Sequence, residues 1–132
     1  MLSAYEEMSS QPCVVLAHTD AGFAALTSRS FRRMGWDVYL ARTGPEARRL
    51  ARMLQAHLVI LDADLPGESG WLTCDKLTRE LPHVKVLLTK SEPTIQDERL
   101  AAFVGASALI NRHDGTTALL RQASDMAVSL RA

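Results

Sequence analysis

The sequence is poor in the features that mark secreted, membrane and metal-binding proteins. Cysteine occurs only at Cys13 and Cys74, far apart and in apolar surroundings, which favours buried, reduced thiols over a disulfide or a zinc site. The chain contains no run of 18 apolar residues that would suit a bilayer. The acidic start MLSAYEEMSSQP also differs from a signal peptide. We therefore expect a cytoplasmic protein with no membrane partner.

The chain also lacks an excess of charge of either sign. Fifteen Lys and Arg residues balance fifteen Asp and Glu residues, so no overall field favours nucleic acid, and we expect no direct nucleic-acid binding. A small basic group, Arg29, Arg32 and Arg33, is interpreted as a solvated helix face. No glycine-rich phosphate loop or catalytic triad is present, and we do not expect an enzyme.

The 132 residues have the length of one domain, and they alternate between apolar strands and amphipathic helices. Residues 1–12 are predicted to be a flexible lead, followed by a single domain over residues 13–132. Strands that are apolar throughout and alternate with helices predict a parallel α/β sheet covered on both faces. The predicted strands span residues 13–17, 37–41, 57–62, 84–89 and 106–111, and the predicted helix starts are Asp20, Thr43, Gly70, Thr94 and Thr116 or Thr117.

Ligands of such sheets collect outside the carboxyl ends of the strands. In the stretch VILDADLPGESG (residues 59–70), a buried strand ends in Asp62, and Asp64 follows two residues later. The residues expected at this edge are His18, Thr19, Asp20, Asp62, Asp64, Thr89, Lys90, Asn111, Arg112 and His113.

The segments VILDADLPGESGW, VLLTKS and GASALINR, at these spacings, resemble the receiver domain of two-component response regulators over about residues 13–130. The resemblance implies a flavodoxin-like (βα)5 fold with strand order 2-1-3-4-5. It also implies that Asp62 accepts a phosphoryl group from a histidine kinase or phosphotransfer protein, with Mg²⁺ as cofactor and Thr89 as the switch hydroxyl. Such chemistry depends mainly on positioning and charge neutralisation.

The sequence departs from the family pattern around Asp62. His18 and Thr19 stand where the family has an acidic pair, and Asp20 lies one residue late, where it suits a helix N-cap. Arg112 replaces the family lysine, which is a geometrically different cation. His113 and Leu109 replace the family's proline and its aromatic switch residue. We therefore expect weak magnesium binding at most, with Asp62, Asp64 and Asp20 as the candidate ligands.

Several arrangements around Asp62 stay open at this stage. Asp64 turned inward would supply a second carboxylate to a metal. Alternatively, His18 would donate a hydrogen bond or a positive charge to the phosphoryl group. Arg112 paired directly with Asp62 would mimic an occupied site.

Three functions follow from these alternatives. The chain acts as a phosphoacceptor, or as a phosphorylation-independent pseudo-receiver that binds other proteins. Either would bind an effector or a second copy through the fourth helix, fifth strand and fifth helix, where Leu100, Phe103 and Val104 form an apolar patch or pack on the sheet. In the third, LDADL resembles the Asp-x-Asp motif of haloacid-dehalogenase-type phosphatases, with Asp62 as nucleophile and Asp64 as general acid.

Overall fold

A computed structural model describes the backbone of residues 11–131 and the side chains as far as Met126. The flexible lead predicted for residues 1–12 lies outside the described residues, apart from Gln11 and Pro12. The strands are β1 (Cys13–Ala17), β2 (Asp37–Ala41), β3 (Leu58–Asp62), β4 (Lys85–Lys90) and β5 (Ala108–Asn111). The helices are α1 (Ala21–Arg33), α2 (Gly44–Leu54), α3 (Gly70–Glu80), α4 (Ile95–Phe103) and α5 (Thr117–Arg131), with a 3₁₀ turn at Arg112–Asp114.

The five strands form one parallel sheet in the order β2-β1-β3-β4-β5, which confirms the predicted fold. In this register Asp62 lies opposite Thr89, and Ala17 lies opposite Leu61. The carboxyl ends of β1, β3 and β4 therefore meet at the centre of one edge, where parallel sheets place their ligand sites.

Apolar side chains cover both faces of the sheet, which is why its central strands read as continuous apolar runs. Val15, Val59 and Leu88 face α2, α3 and α4, whereas Leu16 and Ile60 face α1 and α5. Both cysteines are buried and reduced, as predicted. Burial raises the pKa of Cys13 to about 11 and that of Cys74 to about 12. No helix in the described residues is long and apolar enough to cross a bilayer.

Side-chain hydrogen bonds confirm the predicted helix starts at Asp20, Thr43 and Thr94, whereas Ser69 caps the helix that begins at Gly70. The Asp20 carboxylate accepts from the amide of Phe23 at 3.0 Å, which makes Asp20 the N-cap of α1. The Thr94 hydroxyl accepts from the amide of Asp97, and the Asp97 carboxylate accepts from the amide of Thr94, which completes the predicted capping box. These bonds fix the points at which the chain turns away from the carboxyl edge of the sheet.

The residues of the fourth helix divide between the core and the surface. Val104, the C-cap of α4, is buried and packs with the α2–α3–α4 side of the core. Leu100 is 39% exposed and Phe103 is 81% exposed, and Ile95 at the start of the helix is 68% exposed. The alternative in which most of these side chains pack on the sheet is therefore wrong for Leu100 and Phe103.

Candidate functional site

Asp62 ends β3 and is 2% exposed, and both of its carboxylate oxygens accept hydrogen bonds from the protein. The amide of Asp64 donates to Oδ1 at 2.9 Å. The hydroxyl of Thr19 donates a short hydrogen bond to Oδ2, and the Thr19 amide donates to the same oxygen at 3.3 Å. The sequence placed Thr19 beside Asp62 but missed this role, because a threonine in a loop carries no signal of its acceptor.

His18 directly follows β1, and its two ring nitrogens contact the loop after β1 and the strand β4. The amide of Asp20 donates to Nδ1 at 3.1 Å, so Nδ1 carries no proton, and Nε2 must donate to the hydroxyl of Thr89, 2.9 Å away. His18 is therefore a neutral imidazole. Its Nδ1 lies 3.8 Å from Asp62 Oδ2, but with no proton on Nδ1 the two groups form no ion pair.

Burial and charge explain the protonation states of both groups. Burial lowers the pKa of His18, the nearby Asp62 carboxylate opposes this effect, and the Arg112 guanidinium adds to the lowering. Burial by itself would raise the pKa of Asp62, but the hydrogen bonds from Thr19 and Asp64 outweigh it and hold the pKa below its ordinary value. At neutral pH the site therefore contains an ionised Asp62 beside a neutral histidine.

Arg112 does not pair with Asp62, so the open alternative of a direct ion pair between them is not the arrangement found. Its Nη2 instead donates a short hydrogen bond to the hydroxyl of Ser91. This contact ties the end of β5 to the loop after β4, because Ser91 follows β4 by one residue. No peptide bond in the described residues is cis, and His113 lies exposed in the 3₁₀ turn.

Asp64 turns away from Asp62, so the open alternative in which it supplies an inward carboxylate is not the arrangement found. Its side chain is 63% exposed, and its Oδ1 lies 3.3 Å from the ammonium of Lys90. Because Lys90 ends β4, this exposed pair joins the turn after β3 to the next strand. The pairing was not predicted, since nothing in the local sequence links the two residues.

The donor set does not fit a magnesium ion. Magnesium prefers several oxygen ligands in an octahedral shell. Here Asp62 already accepts three hydrogen bonds, Asp20 caps α1, and Asp64 points toward Lys90. Among residues 11–126, whose side chains the structure describes, no group of three or more His, Cys, Asp or Glu is placed to hold a metal.

Two further contacts at this edge were missed by sequence reasoning. The ring of Phe23 stacks on His18 with a centroid separation of 4.5 Å, which covers the imidazole from the α1 side. Gly70 begins α3 so close to β3 that an added Cβ would lie 2.2 Å from the carbonyl oxygen of Asp62. The second glycine of the LPGESG segment could have suggested this close approach, since glycine is common where two backbone segments meet.

The response regulator receiver domain family matches residues 14–123 of this chain. Among curated proteins, the "Probable transcriptional regulatory protein TcrX" of Mycobacterium tuberculosis is 30% identical over 103 residues, or 77% of this chain and 44% of that protein. The "DNA-binding dual master transcriptional regulator RpaA" of Synechocystis is 30% identical over 89 residues, or 66% of this chain and 37% of that protein. The chain thus spans less than half the length of these relatives.

Solved structures show the same fold. A CheY-like response regulator receiver domain protein from Methanospirillum hungatei has a TM-score of 0.83 at 17% identity and covers 92% of this chain and 97% of its own. The receiver domain of the Francisella response regulator 1452 has a TM-score of 0.82 at 17% identity, with coverages of 90% and 98%. The family match gives the phosphatase alternative no support. The chain belongs to the receiver domain family of response regulators, the domains of two-component signal transduction.

Proposed function

We propose that this receiver domain acts in the cytoplasm as a protein-interaction module whose Asp62 is not phosphorylated efficiently with magnesium. The observation that carries the proposal is the set of contacts to Asp62. Oδ1 accepts from the Asp64 amide and Oδ2 from the hydroxyl and amide of Thr19, and none of these three donors carries a charge. These donors satisfy the carboxylate in the absence of a metal ion.

Phosphoryl transfer to a carboxylate needs a cation that neutralises the charge of the transferred group. Receiver domains as a family bind Mg²⁺ at the phosphorylation site. In this chain the nearest candidate cations are engaged elsewhere, because Lys90 contacts Asp64 and Arg112 contacts Ser91. His18 is neutral, and its Nε2 proton is donated to Thr89.

The same contacts restrict the switch hydroxyl. Thr89 is completely buried and its oxygen accepts the hydrogen bond from His18, which fixes the position of the hydroxyl and leaves only its proton for a phosphoryl group. Leu109, which stands in place of an aromatic residue, packs partly buried against the core. This arrangement supports an interaction module with a single state at this edge.

Receiver domains work with histidine kinases or phosphotransfer proteins and with effectors. For this chain we propose an effector protein or a second copy as partner, bound through α4, β5 and α5. The exposed side chains of Ile95, Leu100 and Phe103 on α4 support this choice. Exposed apolar side chains that lie together commonly mark protein interaction sites.

A second candidate function is acceptance of a phosphoryl group by Asp62 from a histidine kinase or phosphotransfer protein. It is favoured by the ionised carboxylate at the end of β3, opposite the Thr89 hydroxyl in the sheet register. In that function Arg112 and His18 would have to turn from Ser91 and Thr89 toward the phosphoryl group.

Phosphorylation by acetyl phosphate, read by intact mass, separates the two functions. The wild-type chain is expected to gain no phosphoryl group with or without Mg²⁺. A matched variant, His18→Asp/Thr19→Asp/Arg112→Lys, restores the acidic pair and the lysine and is expected to gain one. A phosphoryl group on the wild type that is absent in Asp62→Asn would establish the second candidate instead.

A magnesium titration followed by amide chemical shifts tests the metal separately. The wild type is expected to show no saturating change around Asp62 at low millimolar Mg²⁺, whereas the restored variant is expected to saturate. Saturation in the wild type at this concentration would contradict the proposal. Thermal unfolding of both proteins, without metal, provides the control that the three substitutions leave the domain folded.

A further inference from the structure

The outer side of α1 and the edge strand β2 enclose a groove on the sheet face opposite α4. The groove has a volume of about 580 Å³. A second hollow of about 490 Å³ adjoins it at Leu40 and extends toward His18, Arg42 and Glu46. The residues on its α1 wall recur at intervals of three and four, so they share one side of the helix. We call it the α1–β2 groove, lined by Ala25, Ser28, Arg29, Arg32, Arg33 and Leu40.

The groove carries three positive charges. Arg29, Arg32 and Arg33 are exposed, and none of them forms an ion pair within the part of the chain that the structure describes. Arg32 and Arg33 lie in the last turn of α1, where the helix dipole stabilises a positive charge. The dipole does not account for Arg29, which lies a turn earlier beside the same hollow.

A buried hydroxyl in the wall of the groove lacks a partner. Ser28 is 3% exposed, and its Oγ forms no hydrogen bond among the described residues. Leaving a buried hydroxyl unpaired costs free energy, so such groups are usually satisfied. Because this oxygen is itself shielded from solvent, a polar group bound in the groove would remove the cost only after the Ser28 side chain turned outward.

The other wall of the groove is a sheet edge. β2 pairs with β1 on one side and with no other strand of the described chain. Leu40, which lines the groove, is 55% exposed, and Tyr39, which points to the opposite face of the sheet, is 41% exposed. An edge strand with unpaired backbone groups and exposed apolar side chains is a template for pairing with another chain. Proteins use such edges to bind extended peptides through main-chain hydrogen bonds.

We propose that the α1–β2 groove binds an extended acidic segment of a partner protein, which adds to β2 as a further strand. The carboxylates of the segment face Arg29, Arg32 and Arg33 on the α1 side, and its alternate, apolar side chains point to the opposite face of the sheet, beside Tyr39. A second copy of this chain fits less well, because pairing two β2 edges brings two sets of three arginines together. The surface differs from that of α4, β5 and α5 and does not depend on the state of Asp62.

A synthetic ten-residue peptide of alternating Glu and Val is the probe. Added to the full chain, it is expected to shift the amide resonances of β2 and of the second half of α1. The variant Arg29→Gln/Arg32→Gln/Arg33→Gln is expected to weaken binding about tenfold, which corresponds to modest individual ion pairs. The matched control Arg49→Gln/Arg99→Gln/Arg121→Gln removes the same charge from exposed positions elsewhere. It is expected to weaken binding less than about twofold.

Several outcomes would overturn the proposal. These are no binding of the peptide, equal binding of its Gln-for-Glu version, equal weakening in the two triple variants, or shifts confined to another surface. Residues 1–10 include Glu6 and Glu7, so Glu6→Gln/Glu7→Gln tests whether the chain's own segment is the occupant. Peptide binding about tenfold tighter in that variant would show that the occupant of the groove is this segment and not a partner protein. A dimer of the wild-type chain that Leu40→Ser abolishes would show that the occupant of the groove is a second copy of this chain.

Discussion

Asp62, the last residue of β3, and Glu68, six residues later, are two acids stabilised in opposite ways. Glu68 accepts from Arg48 at 3.1 and 3.0 Å, from Lys76 at 2.8 Å and from the hydroxyl of Thr73 at 2.7 Å. Asp62 accepts only from uncharged groups of Thr19 and Asp64. Burial would raise the pKa of Glu68, but the hydrogen bonds from Arg48, Lys76 and Thr73 outweigh it and lower the pKa to about 2.

The difference shows which of the two acids has a structural role in this chain. Glu68 joins α2 to α3 through Arg48 and Lys76, and its charge is neutralised by two cations. Asp62 retains an uncompensated negative charge inside a closed set of neutral donors. A receiver site that transfers phosphoryl groups needs its cations at the acceptor. Here the cations surround the structural acid instead.

The largest loss of stability is expected from Gly70→Ala, because the added methyl group would clash with the backbone of Asp62 and Ala63. An added Cβ would lie 2.2 Å from the Asp62 carbonyl oxygen and 2.7 Å from Cα of Ala63. Because these are backbone atoms of a central strand, they cannot rotate away, and we expect a loss of about 3 kcal/mol in the free energy of unfolding. Urea denaturation measures this loss.

Gly22→Ala is the control for that substitution. Gly22 lies in the first turn of α1, and an added Cβ meets only a side-chain oxygen of Asp20, at an ordinary 3.4 Å. Alanine is favoured over glycine in helices by up to about 1 kcal/mol, so we expect no loss of stability. Equal losses for the two variants would show that the close contact of α3 with β3 is not what supports Asp62.

The sequence predicted the fold, because five apolar strands alternate with capped helices, and parallel topology then places the strand ends together. It also placed Asp62, Thr89 and His18 at one edge, since Asp62 and Thr89 end predicted strands and His18 directly follows one. The partners of the long side chains were not predictable. Arg112 contacts Ser91 and Asp64 contacts Lys90. Both contacts depend on loop conformations that bring together residues about twenty or more positions apart in the sequence.

Glu68→Gln is expected to have the second largest effect. It leaves Arg48 and Lys76 beside a neutral, partly buried amide, and we expect a loss of about 2 kcal/mol at pH 7. The lowered pKa of Glu68 means that its contribution is complete above pH 4.5 and is lost as the pH falls toward about 2. The difference between wild type and variant should therefore shrink from pH 7 to pH 3 in urea denaturation.

Glu80→Gln is the matched control for Glu68→Gln. Glu80 is 44% exposed at its side chain and lies 3.8 Å from Arg48 and 3.7 Å from Arg52. Exposed pairs of this kind contribute about 0.5 kcal/mol or less. A loss at Glu80 as large as that at Glu68 would contradict the distinction between a neutralised, partly buried acid and ordinary surface charge.

The smallest effect on the free energy of unfolding is expected from protonation of His18, a neighbour of Asp62 that becomes a cation at low pH. Burial lowers its pKa in the folded state, so the unfolded chain binds a proton at higher pH than the native one. The free energy of unfolding is therefore expected to fall as the pH drops below about 6.5, by at most about 1.4 kcal/mol per pH unit.

His18→Gln isolates this slope, because an amide can still accept from Asp20 and donate to Thr89 but does not titrate. The slope below pH 6.5 should disappear in this variant and persist in the control His113→Gln, whose ring is exposed. Nitrogen chemical shifts of the wild-type ring should show Nε2 protonated and Nδ1 bare at pH 7. A doubly protonated ring at that pH would place a positive charge beside Asp62. Both acids would then be paired with cations, which would contradict the difference drawn between Asp62 and Glu68.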